Sequence, residues 1–130
     1  VYISLTSSVT VKRYRYFRNW CYVLQRIAGI VTLLFVIWHI YGTKLQVELT
    51  GVDPSYAMAA GIVATPIGLT LFAIGLLCSI YHFCNGLWTF LITWGITVSP
   101  RSQKISGYVL FALFIAFAAF GLKALSAFAG

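Results

Sequence analysis

Residues 66–97 read PIGLTLFAIGLLCSIYHFCNGLWTFLITWGIT, a run without Asp, Glu, Lys or Arg. A helix needs roughly 20 apolar residues to cross a bilayer. This stretch therefore predicts a membrane span that is longer than required and that tilts or protrudes. Two further stretches predict spans. One runs from about 21 to 43, with Arg26 as its only charge, and the other runs from about 105 to 128, interrupted only by Lys123.

The composition of the whole chain is that of an integral membrane protein. Of 130 residues, 61% are hydrophobic and 8% are charged, which is too apolar for an ordinary soluble domain. We expect an all-α transmembrane helix bundle that forms a single domain over residues 1–130. The first residue is Val1 rather than Met, and residues 1–7 could be the tail of a preceding helix. We therefore expect a fragment whose N-terminal helices are missing.

Basic residues are concentrated on one side of the predicted spans. Seven precede or open the first span or follow the second: Lys12, Arg13, Arg15, Arg18, Arg26, Arg101 and Lys104. The other side carries two basic and two acidic residues: Lys44, Lys123, Glu48 and Asp53. The positive-inside rule places the first side in the cytoplasm and the C-terminus outside. The net charge of +7 is thus interpreted as orientation in a lipid bilayer, and no nucleic acid partner is expected.

The chain has two histidines, His39 and His82, and both lie within predicted spans. Ionisable side chains at membrane depth are costly and usually have a partner or a function. Neutral imidazole is a common ligand of haem iron. A rise of 1.5 Å per residue puts His39 roughly 7 Å and His82 roughly 24 Å from the outer side. One iron cannot easily take both, so the spacing predicts two haems, one near each face. The alternative for either residue is a hydrogen-bonded structural histidine.

Small residues lie at helical spacings from His82. They are Gly75, Cys78, Ser79, Gly86 and Thr89. Such a face could seat a flat cofactor, with Gly86 allowing close approach, or it could pack against another helix. Arg26, near the cytoplasmic boundary, could extend its charge towards the headgroups or pair with a haem propionate. No catalytic constellation is evident, which favours an electron-carrying or anchoring role within an enzyme.

Several motifs together resemble a known family. They are Tyr16-Phe17-Arg18-Asn19-Trp20, Val23-Leu24-Gln25-Arg26-Ile27-Ala28-Gly29-Ile30, Trp38-His39, His82-Phe83-Cys84-Asn85-Gly86-Leu87-Trp88 and Thr93-Trp94-Gly95-Ile96-Thr97-Val98-Ser99-Pro100-Arg101-Ser102-Gln103. These segments are similar to the cytochrome b558 membrane-anchor subunit of succinate dehydrogenase from Gram-positive-type bacteria. The similarity covers nearly the whole chain. One departure is Ala28, which stands where a hydroxyl residue is common in the family.

The resemblance implies a five-helix anchor with two haems b in the bacterial cytoplasmic (inner) membrane, of which this chain matches the last three helices. It implies a flavoprotein and an iron–sulfur subunit as partners, and menaquinone as the electron acceptor. His39 would be an axial ligand of the outer, distal haem, and His82 an axial ligand of the inner, proximal haem. The partner ligands would lie on the missing helices.

Two alternatives to this function remain open on the sequence. The first is the anchor subunit of a fumarate reductase, which runs the reaction in reverse. The second is a haem-free small membrane protein that serves in assembly or transport, for which the histidines would be replaceable.

Overall fold

The computed structural model describes residues 17–53 and 55–129, and every regular element in these ranges is helical. Helix α1 spans Phe17–Ile40 and continues through a π-helical turn at Tyr41–Leu45 into the short helix α2, Gln46–Thr50. The remaining elements are listed in chain order: α3, Tyr56–Val63; α4, Pro66–Thr93; and α5, Pro100–Ala129. The predicted all-α class is confirmed. The basic residues Lys12, Arg13 and Arg15, and the helix tail predicted at residues 1–7, lie outside the described residues.

Three helical segments are long and apolar enough to cross a membrane. They are Phe17–Thr50, Pro66–Thr93 and Pro100–Phe128, with mean hydropathies of 1.9, 1.9 and 2.2. Large apolar side chains such as Leu34 and Phe120 are more than half exposed, as expected where lipid rather than water surrounds the helices. The protein is a multi-pass membrane protein.

Local sequence determines where the two later spans begin. The Thr65 hydroxyl accepts a hydrogen bond from the Gly68 N–H at 3.0 Å, and Pro66 occupies the first turn of α4. Before α5, the Ser99 hydroxyl accepts from the Ser102 N–H at 3.1 Å, and Pro100 follows. A hydroxyl cap satisfies an otherwise unpaired N–H, and proline fits the first turn because it has no N–H to leave unpaired. Both helices therefore start where the sequence changes to a hydroxyl residue followed by proline.

Helix α4 ends at Thr93, earlier than the span predicted to reach Thr97. Gly95 adopts a left-handed conformation with φ +69°. Its N–H donates to the Ile92 carbonyl at 3.1 Å, and the Ile96 N–H donates to the Leu91 carbonyl at 3.0 Å. These two bonds form a Schellman motif, which satisfies the last carbonyls of the helix and turns the chain away.

Residues 44–65, between the first two predicted spans, are mostly helical. The first span runs on through Thr50, where Gly51 in a left-handed conformation ends it, and α3 begins directly after Ser55. The helix therefore extends beyond the end predicted for the first span, at about residue 43, and includes polar residues such as Glu48. A helix that leaves the bilayer continues as long as its backbone bonds are made.

Helix α4 lies at the centre, packed against α1 on one side and α5 on the other. Glycines make these contacts close. A Cβ built on Gly75 of α4 would overlap the Phe35 ring of α1, and one on Gly121 of α5 would lie 3.0 Å from Leu76 Cδ2. Small residues at interfaces allow membrane helices to approach closely. Helix α3 covers one end of the bundle, where the Tyr56 hydroxyl donates to the Ala127 carbonyl at 2.8 Å.

We predict that Gly75→Leu destabilises the bundle by about 2–3 kcal/mol, because an added branched side chain has no room against Phe35. The matched control is Gly61→Leu, since a Cβ at Gly61 meets nothing within 4 Å. Unfolding in a denaturing detergent, followed by tryptophan fluorescence, measures the difference. Equal stability of the two variants would contradict the close α1–α4 contact.

Candidate functional site

His82 lies on the face of α4 that packs against α1. Its Nδ1 is 3.1 Å from the backbone carbonyl oxygen of Gln25. The ring rests on Gly29, where a built Cβ would lie 2.9 Å from His82 Cε1. A side chain at position 29 would thus displace the imidazole. The histidine is part-buried between two helices and has a defined hydrogen-bond partner.

The side chain of Gln25 links α1 to α4 beside this histidine. Its Nε2 donates to the His82 carbonyl at 3.0 Å, and its Oε1 accepts from Asn85 Nδ2 at 2.9 Å. Asn85 is 8% exposed and also points its amide at the Cys21 carbonyl, 3.5 Å away. The Tyr81 hydroxyl donates to that same carbonyl at 3.2 Å. A small polar network therefore lies inside an otherwise apolar contact.

Gly86 lies one turn beyond His82 and faces Gln25. A Cβ built on Gly86 would lie 3.0 Å from Gln25 Nε2. Gly75, on the same stripe of α4, is covered by Phe35. In the described residues, Gly75 and Gly86 of the small-residue face thus lie against side chains of α1, a contact of the kind that the helix-packing alternative expects.

His39 has different surroundings. Its ring stacks on Phe35 with centroids 5.9 Å apart, and it meets Phe72 of α4 edge-on at 5.6 Å. Within the described residues its ring nitrogens make no hydrogen bond, and the side chain is exposed. The imidazole is therefore held by aromatic contacts alone.

A π-helical turn begins two residues after His39, at Tyr41. The Thr43 hydroxyl donates to the His39 carbonyl at 2.6 Å, so it satisfies a backbone group near the widened turn. Turns of this type occur often at functional sites. A partly open apolar cavity of about 290 Å³ lies beside His39 and Thr43. It is also lined by side chains of α3, α4 and α5, among them Ile62, Leu76 and Leu125.

The two histidines lie at different levels of the bundle. His39 is level with Phe72 on α4, which is ten residues before His82, or about 15 Å along the helix. On α1, His82 is level with Gly29, which is ten residues before His39, again about 15 Å. From the sequence, His39 was estimated to lie roughly 7 Å from the outer end of its span. In the structure it lies farther from the end of its helical segment, because that segment continues to Thr50.

Arg26 lies near the opposite end from the cavity, with its guanidinium 5.6 Å from the centre of the Tyr22 ring. A second basic residue, Arg18, lies over the Trp88 ring at 5.6 Å and donates to Gln103 Oε1 at 3.4 Å. The Trp88 indole N–H donates to the Gln103 carbonyl at 3.0 Å. Arginine and tryptophan thus meet at the end of the bundle where α1 and α5 begin and α4 ends.

Among the described residues, no group of three or more His, Cys, Asp or Glu is placed to hold a metal ion. A zinc-type site needs such a cluster, whereas haem iron carries four porphyrin nitrogens and needs only axial ligands from protein. Two separate imidazoles in apolar surroundings match the second requirement. The donor set is therefore of the kind that fits haem, with His39 and His82 as the residues that would supply an axial nitrogen.

The sequence did not identify Gln25 and Asn85 as neighbours of His82. The available signal was that both are polar residues within apolar spans, where an uncharged amide also needs a partner. The hydrophobic pattern places Asn85 in a helix, but it does not predict that Asn85 contacts Gln25 on another helix.

The chain matches known proteins over most of its length. A family model described as the succinate dehydrogenase/fumarate reductase transmembrane subunit matches residues 8–121. The succinate dehydrogenase cytochrome b558 subunit of Bacillus subtilis (strain 168) is 47% identical over 128 residues, which make up 98% of this chain and 63% of that relative's length. No solved structure matches the chain. The chain therefore belongs to the family of succinate dehydrogenase/fumarate reductase transmembrane subunits.

Proposed function

We propose that the chain is part of the membrane-anchor cytochrome b subunit of a succinate dehydrogenase. In this role it passes electrons from an iron–sulfur subunit through two haems b to menaquinone, while other subunits carry out the bond chemistry. The observation that carries the proposal is the pair His39 on α1 and His82 on α4. The levels of these two residues differ by about 15 Å along the helix axes. The name of the Bacillus subtilis relative, a cytochrome b558 subunit, supports haem as the cofactor.

The residues of this chain would hold and tune the cofactors. His82 would bind the proximal haem and His39 the distal one, each through a ring nitrogen, with the second axial ligands coming from the rest of the full-length subunit. Haem b supplies one-electron transfer when it is bound. In a bilayer the apolar spans would keep both positions away from water, which would raise the influence of each nearby hydrogen bond on the potential.

Arg26 and Gly86 have separate proposed roles. Arg26 would pair with a propionate of the proximal haem, since guanidinium and carboxylate form strong charge-assisted bonds. Its position one residue after Gln25 keeps it close to the level of His82. Gly86 would leave space beside His82, and in the described residues the Gln25 amide lies against it.

The proposed orientation places the ends of the helices that carry Arg18, Arg101 and Lys104 in the cytoplasm. The flavoprotein and iron–sulfur subunits would dock at this end, and electrons would move from His82 towards His39. The C-terminus would lie outside. The distribution of charge at the two ends supports this orientation.

A fumarate reductase anchor is the second candidate, because the matching family model covers both enzymes. The two candidates differ in the direction of electron flow. Comparing succinate oxidation with fumarate reduction in membranes, using quinones of low and high potential, distinguishes them.

We predict that His39→Ala and His82→Ala each remove one haem from the full-length subunit, and not the same one. Each substitution deletes the axial ligand of one iron and leaves the other in place. Pyridine haemochrome quantification and redox titration of the reduced-minus-oxidised spectrum measure which component is lost. Trp38→Phe serves as a neighbouring control that should keep both haems.

Full haem content in both histidine variants would overturn the cytochrome proposal and favour a haem-free membrane protein. Loss of the same component in both would overturn the arrangement with one haem at each level.

We predict opposite labelling of two exposed loop valines that lie at opposite ends of the bundle. Val52 is 54% exposed and Val98 is 77% exposed. In intact cells, or in spheroplasts where an outer barrier exists, Val52→Cys should react with a membrane-impermeant maleimide, whereas Val98→Cys should react only after permeabilisation. The unsubstituted chain is the control, because it shows how much label reacts with the three cysteines already present. The reverse pattern would exchange the inner and outer assignments.

A further inference from the structure

We infer that Gln25 and Asn85 are positioning residues for His82: the Gln25 backbone carbonyl selects its tautomer, and the Gln25 side chain, held by Asn85, fixes its orientation. This inference rests on the proposed function, in which His82 is a haem ligand. Neither amide needs to touch the haem in order to act. The Gln25 amide acts through the backbone of His82, and the Asn85 amide acts through Gln25.

The ring contact selects the tautomer. The Gln25 backbone carbonyl can only accept a hydrogen bond, so His82 Nδ1, at 3.1 Å, must carry the proton. The lone pair is then on Nε2, which becomes the metal-binding nitrogen. Metal-bound histidines commonly donate the other N–H to a carbonyl in this way, which raises the basicity of the ligand.

Gly29 makes this contact possible. The Gln25 carbonyl already accepts a bond within α1, and its second lone pair can be reached only because residue 29 has no side chain. A Cβ there would lie 2.9 Å from Cε1 and 3.2 Å from Nδ1 of His82. The glycine in this part of α1 thus leaves room for the ring of the opposing helix.

The amide contact fixes the backbone that carries the ring. Gln25 Nε2 donates to the His82 carbonyl at 3.0 Å, while its Oε1 accepts from Asn85 at 2.9 Å. Because Asn85 is 8% exposed, its amide has few other partners, and it holds the Gln25 side chain in place. Gly86 leaves the space that the Gln25 amide occupies.

The network therefore binds His82 at two points, the ring nitrogen and the carbonyl oxygen of the same residue. A contact that only joined two helices would not need to involve the proton-bearing ring nitrogen. Two-point attachment restricts rotation of the imidazole about its side-chain bonds and keeps its plane fixed relative to α4. The plane and basicity of an axial imidazole both affect the potential and the magnetic spectrum of haem iron.

The test uses Gln25→Met in the full-length subunit with its partner subunits. Methionine keeps the length of the side chain and removes the amide oxygen and nitrogen, while the backbone carbonyl that accepts from His82 Nδ1 remains. The matched control is Gln46→Met, at an exposed glutamine of α2. We expect the proximal haem to remain bound, with a shifted midpoint potential and shifted low-spin g values in electron paramagnetic resonance, because the backbone that carries the ring is no longer fixed. The distal haem and the control should be unchanged.

Asn85→Leu should shift the midpoint potential of the proximal haem in the same direction as Gln25→Met, but by less. Because Asn85 acts through Gln25, the double variant should have the same potential as Gln25→Met alone. Additive shifts would overturn that order of action. An unchanged proximal potential and unchanged g values in Gln25→Met would overturn the positioning role itself.

If Gln25→Met lowers the amount of protein in the membrane, Gly29→Ala tests the contact between α1 and the His82 ring instead. It adds one methyl group against the ring and leaves every amide in place, with Gly61→Ala as its control. A shifted spectrum of the proximal haem is expected, and an unshifted one would contradict the ring contact. Failure of the underlying cytochrome proposal has a separate signature, since His82→Ala would then keep both haems.

Discussion

The close approach of α1 and α4 is the contact on which the arrangement of the site depends. Within the bilayer, apolar side chains gain little by leaving lipid for protein, so helix contacts rely on tight packing and on polar pairs. Both are present here. Gly29 and Gly75 bring the helix backbones near large side chains of the opposite helix, and the bond between Gln25 and Asn85 fixes the register. A sliding of α1 by one turn would separate every one of these pairs.

The number and type of the spans could be predicted from the sequence because hydropathy alone determines them in a bilayer. Their ends could not, since these depend on particular backbone bonds. Gly95 ends α4 through two bonds to Leu91 and Ile92 that no hydropathy window detects. The first span continues past Thr43 because a π-helical turn keeps the backbone bonded through a stretch of small and polar residues.

The histidines were identifiable because an ionisable group within a span is rare, and their separation followed from helix rise. What surrounds them was not predictable. The small-residue face around His82 suggested space for a flat ring, but periodicity does not reveal what fills a face. In the described residues it is filled by α1, with Phe35 on Gly75 and Gln25 on Gly86.

The two histidines also differ in how firmly this part of the chain holds them. His82 is fixed by hydrogen bonds at its ring and its carbonyl, whereas His39 is held by the rings of Phe35 and Phe72 and lies beside an apolar cavity. Stacking constrains the distance of a ring but leaves its proton position open. The tautomer of His82 is thus set within α1 and α4, while that of His39 depends on whatever group meets its free nitrogen. A ligand with a fixed proton and a fixed plane gives a narrow range of potentials. With a haem at each histidine as proposed, the potential at His82 would therefore depend on these helices, and the potential at His39 would be more sensitive to its occupant.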